Sequence, residues 1–283
     1  MLQRVYERRT QYNNDRRLAD SWIWTTGKLI YYRMFARVYG FCGSFSQTVM
    51  VNSTWTKNHI DQLWSTDANI VYPPCDTDRL SDLPLDGRQT MIVSIAQFRP
   101  EKDHRMQVLA LARLLEKYPE WQQNEKLKLV LIGTCRNQGD QGRIDDLKAL
   151  AKELRLDDRV CFEVNASYDT LVSYLSKAKV GLHTMWNEHF GIGVVEYQTA
   201  GLIAVAHCSG GPKHDIVVNY ANKPTGFLAD SVETFADRLH DALTLSDEEY
   251  KEIASNARAS ASDRFSELAF SVELLRPLRQ CLT

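Results

Sequence analysis

From Arg88 onward, short runs of branched apolar residues alternate with longer amphipathic stretches, with short, glycine-marked junctions between them. Thr90 to Ala96 (TMIVSIA), Lys128 to Ile132 (KLVLI), Val160 to Val164 (VCFEV), Val180 to Thr184 (VGLHT) and Leu202 to Ala206 (LIAVA) read as strands. Strands that are apolar on both faces belong to parallel sheets covered by helices on either side. A helix is predicted over Asp103 to Tyr118, where Met106, Leu109, Ala110 and Leu114 recur at helical spacing and Pro119 ends the run. Later crossover helices are predicted at Arg143 to Leu154, Tyr168 to Lys177 and Val194 to Ala200. The pattern is that of an α/β, Rossmann-like, doubly wound parallel sheet, which we assign to residues 88–245.

The flanks are organised differently. Residues 1–20 are polar and arginine-rich, without the strand and glycine loop that open an intact nucleotide-binding domain, so the chain is expected to begin partway through a larger protein. Residues 21–43 mix Trp22, Trp24, Tyr31, Tyr32 and Phe35 with Lys28, Arg33 and Arg37. That mixture suits a helix lying on a membrane surface, or one packed against a further domain. A strand at Thr48 to Val51, a helix capped at Asn52-Ser53-Thr54 and a strand at Asn69 to Tyr72 follow, and Pro73-Pro74 stiffens the exit. These readings give an incomplete N-terminal unit at 1–74, a linker at 75–87 and C-terminal helices at 246–283.

Composition narrows the function. With 44% hydrophobic and 25% charged residues the chain can bury a sizeable core, and a net charge of -2 lacks the basic footprint that a nucleic acid selects. The six cysteines form no C-x-x-C pair and read as reduced, buried thiols. No signal peptide opens the sequence, and no run of about 18 apolar residues is present to span a bilayer.

The densest polar constellation follows the Val180 strand, in WNEHFGIGVVE (186–196). Ligands of doubly wound sheets bind outside the carboxyl ends of strands. Gly191 and Gly193 allow close backbone approach there, and the free N–H groups of a helix start suit phosphate or sugar oxygens. Glu188 and Glu196 could be solvated charges instead, but the apolar run around Glu196 argues against a solvated face. A second element, QFRPEKDH (97–104), places Arg99 and Lys102 just after the Thr90 strand, where cations suit a diphosphate; Lys102 could also merely sit near a helix start capped by Asp103. His183 and His189 lack the spacing of a helical zinc pair, so no metal site is expected.

Glu188 and Glu196, with Phe190-Gly191 between them and Gly210-Gly211 (AHCSGG) after the next strand, resemble the paired glutamates of the retaining family-4 glycosyltransferases of two-domain GT-B fold. The resemblance implies that Glu188 lies by the donor hexose as the catalytic group and that Glu196 accepts from ribose hydroxyls. It places His189, Phe190, Gly191 and Ile192 along the donor, and Val164, within the Glu163 to Asn165 turn, at the base-binding edge. Family members usually carry Gly-Arg after the first strand and a lysine five residues later. Lys102 matches the lysine and Gln97 stands in the arginine's place, so Arg99 is the expected replacement on the diphosphate. QFRPEKDH, WNEHFGIGVVE, SGGPKHDIV and VYPPCDT together resemble the branch that adds α-1,2-linked mannose in the dolichol pathway. That implies GDP-mannose as donor, a dolichol-linked oligosaccharide as acceptor, the cytosolic face of the endoplasmic reticulum membrane as location, and no metal or other cofactor. Another retaining hexosyltransferase of the same fold, or a non-catalytic nucleotide-sugar-binding chain, remains the alternative at this stage.

Overall fold

The computed structural model describes residues 22–281. Two sheets form. The small one pairs β1 (Met50–Val51) and β2 (Asn69–Ile70) in parallel, with α1 (Trp22–Gly43) before it and α2 (Thr54–Trp64) crossing between its strands. Both strands are shorter than the sequence predicts. Val71 still donates to Val51, but the prolines at 73 and 74 have no N–H with which to extend the ladder. Ser53 caps α2, its side chain accepting from the Thr56 N–H.

The large sheet is six-stranded and wholly parallel. Its strands are β3 (Gln89–Ile95), β4 (Lys128–Gly133), β5 (Val160–Val164), β6 (Ala178–His183), β7 (Ile203–His207) and β8 (Gly226–Ala229). Their spatial order is β5-β4-β3-β6-β7-β8, so the chain winds outward from β3 to one edge, returns, and winds from β6 to the other. The strand period of two divides the apolar residues between two cores. Ile92, Leu129, Leu131, Val180, Leu182, Ile203 and Val205 face one; Val93, Val130, Ile132, Ala204 and Ala206 face the other. The first core is covered by α4 (His104–Lys117), α6 (Gln138–Glu153) and α9 (Val232–Thr244), with the short α5 (Glu120–Gln123) adding Trp121. The second is covered by α7 (Tyr168–Lys177), α8 (Ile192–Thr199) and α10 (Asp247–Phe265), and α11 (Glu267–Cys281) ends the described chain.

Several elements differ from expectation for local reasons. β8 lies between turns and is only four residues long, too short to signal itself. Helix α6 begins five residues before the predicted start. Asn137 caps it by accepting from Asp140, and the buried Asp140 carboxylate is in turn held by Arg136 and Arg143. Glycines 139 and 142 mask that start in the sequence. The segment 75–87 contains α3 (Thr77–Ser81) and is closely packed: Cys75 and Leu80 enter the second core, Cys75 donates its N–H to Phe265 and Arg258 donates to the Leu83 carbonyl. Helix α10 likewise shares that core through Ala261 and Phe265.

Helix α8 lies close against β6 because Gly181 leaves room for the fully buried Tyr197, whose hydroxyl accepts from the Ile95 N–H at 2.7 Å. A Cβ at Gly181 would lie 2.3 Å from the Tyr197 ring. Gly181→Ala therefore destabilises the fold by about 1–3 kcal/mol, the cost of overpacking a filled core. Urea unfolding measures this, and an unchanged midpoint would contradict the packing described.

Candidate functional site

Strands β3 and β6 are neighbours, yet the chain leaves them toward opposite edges of the sheet, so a crevice opens between their carboxyl ends. After β3 the chain makes a 3₁₀ turn at Pro100–Lys102, and Asp103, at φ +47°, starts α4 by accepting from the Met106 N–H. After β6 it runs through Thr184 to Phe190 into α8. The two segments meet: Lys102 Nζ lies 2.6 Å from Glu188 Oε2, with both side chains largely buried. His183, the last residue of β6, places Nε2 3.5 Å from the same oxygen. Thr184 ties the segments from below. Its hydroxyl reaches the Lys102 and Asp103 carbonyls at 2.9 and 3.1 Å and accepts from Gln107 Nε2 at 3.0 Å.

The Glu188 loop is held by the turn after β7. Asn187, at φ +50°, donates its N–H to Ser209 Oγ at 2.8 Å, and Ser209 Oγ also bonds His207 Nδ1. The Gly211 N–H donates to the Glu188 carbonyl at 2.8 Å. Side chains would prevent this approach, since a Cβ at Gly210 would stand 2.1 Å from the Glu188 carbonyl oxygen and one at Gly211 would stand 2.2 Å from that of Phe190. The Gly210-Gly211 pair is thus a steric requirement of the loop.

The two glutamates differ electrically. For Glu188, burial pushes the carboxyl up, but His183 and Lys102 more than reverse this and hold it well below the ordinary range. Of those two, Lys102 makes the shorter contact, 2.6 Å against 3.5 Å, so we assign it the larger share. For Glu196, burial pushes the carboxyl up and Asp76 adds to the effect; among the described residues no cation pairs with it. Its Oε2 lies 3.9 Å from where a Gly193 Cβ would be, and the Ile95 carbonyl is 3.7 Å from that same point. Glu196 therefore reaches back toward the end of β3.

A cavity of about 460 Å³ opens alongside, lined by Ile95, Ala96, Gln97, Arg99, Lys102, Ile132, Gly133, Thr134, Ala166 and Leu171. Arg99 and Lys102 thus line one space, and Arg99 Nη1 is 3.7 Å from Glu101. Val164 ends β5 opposite Gly133, which lines this cavity, and is not itself in its lining. Gly191, at φ +110°, starts α8, and Ile192 is exposed on its first turn. Phe190 is different: its ring is buried in the second core, stacked on Tyr72 at 5.7 Å. His189 is exposed and stacks on Trp55 of α2 at 4.8 Å. Among the described residues no three His, Cys, Asp or Glu side chains gather in a way that could hold a metal ion.

Sequence reasoning considered His183 only as a metal ligand and did not place it against Glu188. Its position as the last residue of a strand bounding the crevice was the available signal. Trp55 gave none for its stack on His189, and Asp215, although within the SGGPKHDIV segment that carries the resemblance, gave none for its partners, because in both cases they are more than a hundred residues away.

Because its carboxyl is held down, Glu188 contributes stability that is fully present above about pH 4.5, its ordinary value, and is lost as pH falls toward the lower native one. In Lys102→Met the Glu188 carboxyl loses its closest cation and titrates at higher pH than in the unmodified chain. Carbon-13 NMR of the side-chain carboxyl reports this, and an unmoved midpoint would remove Lys102 as the main partner.

Residues 77–260 match the family described as glycosyl transferases group 1, and residues 1–64 match the ALG11 mannosyltransferase N-terminus. The GDP-Man:Man(3)GlcNAc(2)-PP-Dol alpha-1,2-mannosyltransferase of Mus musculus is 49% identical over 290 residues, covering 100% of this chain and 58% of its own length. The Homo sapiens protein of the same name is 47% identical over 281 residues, covering 97% and 57%. The chain therefore spans somewhat more than half the length of these curated relatives. Among solved structures, a glycosyltransferase from Rickettsia africae ESF-5 superposes with a TM-score of 0.71 at 17% identity, over 88% of this chain and 67% of that one. Anabaena Alr3699/HepE in complex with UDP gives 0.69 at 21% identity, over 84% and 65%. At these identities the structures speak for the fold, which is that of the GT-B glycosyltransferases.

Proposed function

The chain belongs to the group 1 glycosyl transferases, and on that premise we propose that it serves transfer of mannose, with retention, from GDP-mannose to a dolichol-diphosphate-linked oligosaccharide in α-1,2 linkage. The observation that carries the reading is the meeting of Lys102 and Glu188 at the mouth of the crevice, beside a cavity that Arg99 also lines. The names of the mouse and human relatives support this choice of donor and acceptor.

In this reading the diphosphate takes Lys102 and Arg99, whose charges stabilise the leaving group as its bond to the anomeric carbon breaks. Glu196, not paired with any described cation, is the acceptor for ribose hydroxyls. Glu188 faces the hexose, where its low-lying carboxyl stays ionised and stabilises positive charge developing at the anomeric carbon. The acceptor hydroxyl attacks from the face that the diphosphate leaves, and its proton passes to the departing phosphate oxygen. Configuration is thereby retained without a covalent enzyme intermediate. The proposed place is the cytosolic face of the endoplasmic reticulum membrane. No helix among the described residues is long and apolar enough to cross a membrane. Helix α1 exposes Trp22, Trp24, Tyr31 and Phe35 beside Lys28, Arg33 and Arg37, a surface suited to lying on one.

Calorimetric titration with GDP, GDP-mannose and UDP-glucose tests the reading. Lys102→Ala weakens GDP binding by about 1.5–3 kcal/mol, the range for bonds to a charged group, and Arg99→Ala weakens it as well. Glu196→Gln weakens GDP and GDP-mannose alike, whereas Glu188→Gln leaves GDP affinity nearly intact. Loss of GDP binding at Glu188 with retention at Glu196 would overturn the assignment of roles, and an inert Arg99 would remove that residue from the site.

A further inference from the structure

Asp215 is completely buried, on the five-residue π turn Pro212–Ile216 that follows Gly210-Gly211, and no cation pairs with it among the described residues. A buried carboxylate without a counter-charge is costly unless donors replace its water. The donors come from the N-terminal unit, more than 140 residues away in sequence. The Thr54 N–H reaches both carboxylate oxygens at 3.1 and 3.2 Å, the Thr54 hydroxyl donates at 2.5 Å, and the Tyr72 hydroxyl donates at 2.9 Å. Thr54 is the first residue of α2, so the carboxylate also sits at the positive end of that helix.

The residues beside these donors touch the Glu188 loop. Trp55 follows Thr54 and lies nearly parallel to the His189 ring, 4.8 Å between centroids, and Tyr72 stacks on Phe190 at 5.7 Å. From the other side the same turn that carries Asp215 holds the loop, through the Gly211 N–H on the Glu188 carbonyl. The loop is therefore gripped between α2 and the π turn, and Asp215 joins the two jaws.

We infer that Asp215 and Trp55 are positioning residues for hexose recognition: through the Thr54 and Tyr72 bonds and the His189 stack, the N-terminal unit sets where the Glu188 carboxylate stands. The inference rests on the reading of Glu188 as the hexose-facing group, and its test separates the two. A nucleotide without its sugar does not need the loop in place, so the brace governs the increment that mannose adds to GDP, leaving GDP itself untouched.

Amide hydrogen exchange of the full chain, without ligand, decides whether the brace exists. In Asp215→Asn and in Trp55→Ala, exchange at Asn187, His189 and Gly211 rises about tenfold or more while the β3 amides keep their protection, and Trp55→Phe, which can still stack, behaves as the unmodified chain. Unchanged loop exchange in both variants overturns the inference, and so does an equal rise throughout the sheet, which would be general destabilisation. Calorimetry then gives the ratio of GDP-mannose to GDP affinity. Trp55→Ala lowers that ratio toward one at constant GDP affinity, and an unchanged ratio with a loosened loop overturns the link to the hexose. If the unmodified chain itself shows no preference for GDP-mannose over GDP, the hexose reading of Glu188 fails, while the exchange measurement still decides the brace.

Discussion

The parallel pairing of β3 with β6 is the constraint on which the rest of the molecule depends. These two strands are the first of each winding half, and their register, with Ile92 opposite Val180 and Val93 opposite Gly181, brings their carboxyl ends level. One chain end leads to Lys102 and the other to Glu188, so residues 86 positions apart meet at 2.6 Å. Each of the supporting features preserves this meeting. Gly181 admits Tyr197, whose hydroxyl pins the end of β3; Gly210-Gly211 lets the next turn close on the Glu188 carbonyl; Thr184 fastens the start of the loop to the Lys102 and Asp103 carbonyls.

Electrostatics sets the two glutamates apart, although one stands in α8 and the other in its approach. Desolvation acts on both in the same direction, and the difference lies in the charges nearby: Lys102 and His183 lower the Glu188 carboxyl, whereas the negative charge of Asp76 raises that of Glu196 further. A carboxylate kept ionised beside a cation suits a reaction in which positive charge grows and a diphosphate departs. A buried carboxylate without a cation is instead a demanding hydrogen-bond acceptor, satisfied well by hydroxyls. The same economy explains Asp215, whose donors are neutral hydroxyls and a helix terminus.

How much of this the sequence disclosed follows from the range of the interactions. Five strands were readable because each is a mostly apolar run, whereas Gly226–Ala229, four residues between turns, was not. Glu188, Lys102 and Arg99 were singled out because a doubly wound sheet puts its ligand at strand ends, and these residues lie in the segments that follow β3 and β6. The side chain of Phe190 went elsewhere, into the core against Tyr72, because a ring at a helix entry gains more from burial than from facing solvent. The starts of α6 and of the segment 75–87 were obscured by glycines and prolines whose local preference is overridden by capping and packing. The contacts of Trp55, Tyr72 and Asp215 were not legible, since nothing near them in sequence records partners brought together only by the fold.

The central claim is that the crevice between β3 and β6 holds a nucleoside-diphosphate sugar with its phosphates on Lys102 and its hexose on Glu188. A crystal structure with GDP-mannose tests it most directly. The account predicts diphosphate oxygens within hydrogen-bonding distance of Lys102 Nζ and of the Arg99 guanidinium, mannose hydroxyls on the Glu188 carboxylate, and ribose on Glu196. A donor lying outside the crevice, or one with ribose on Glu188 and hexose on Glu196, would contradict it.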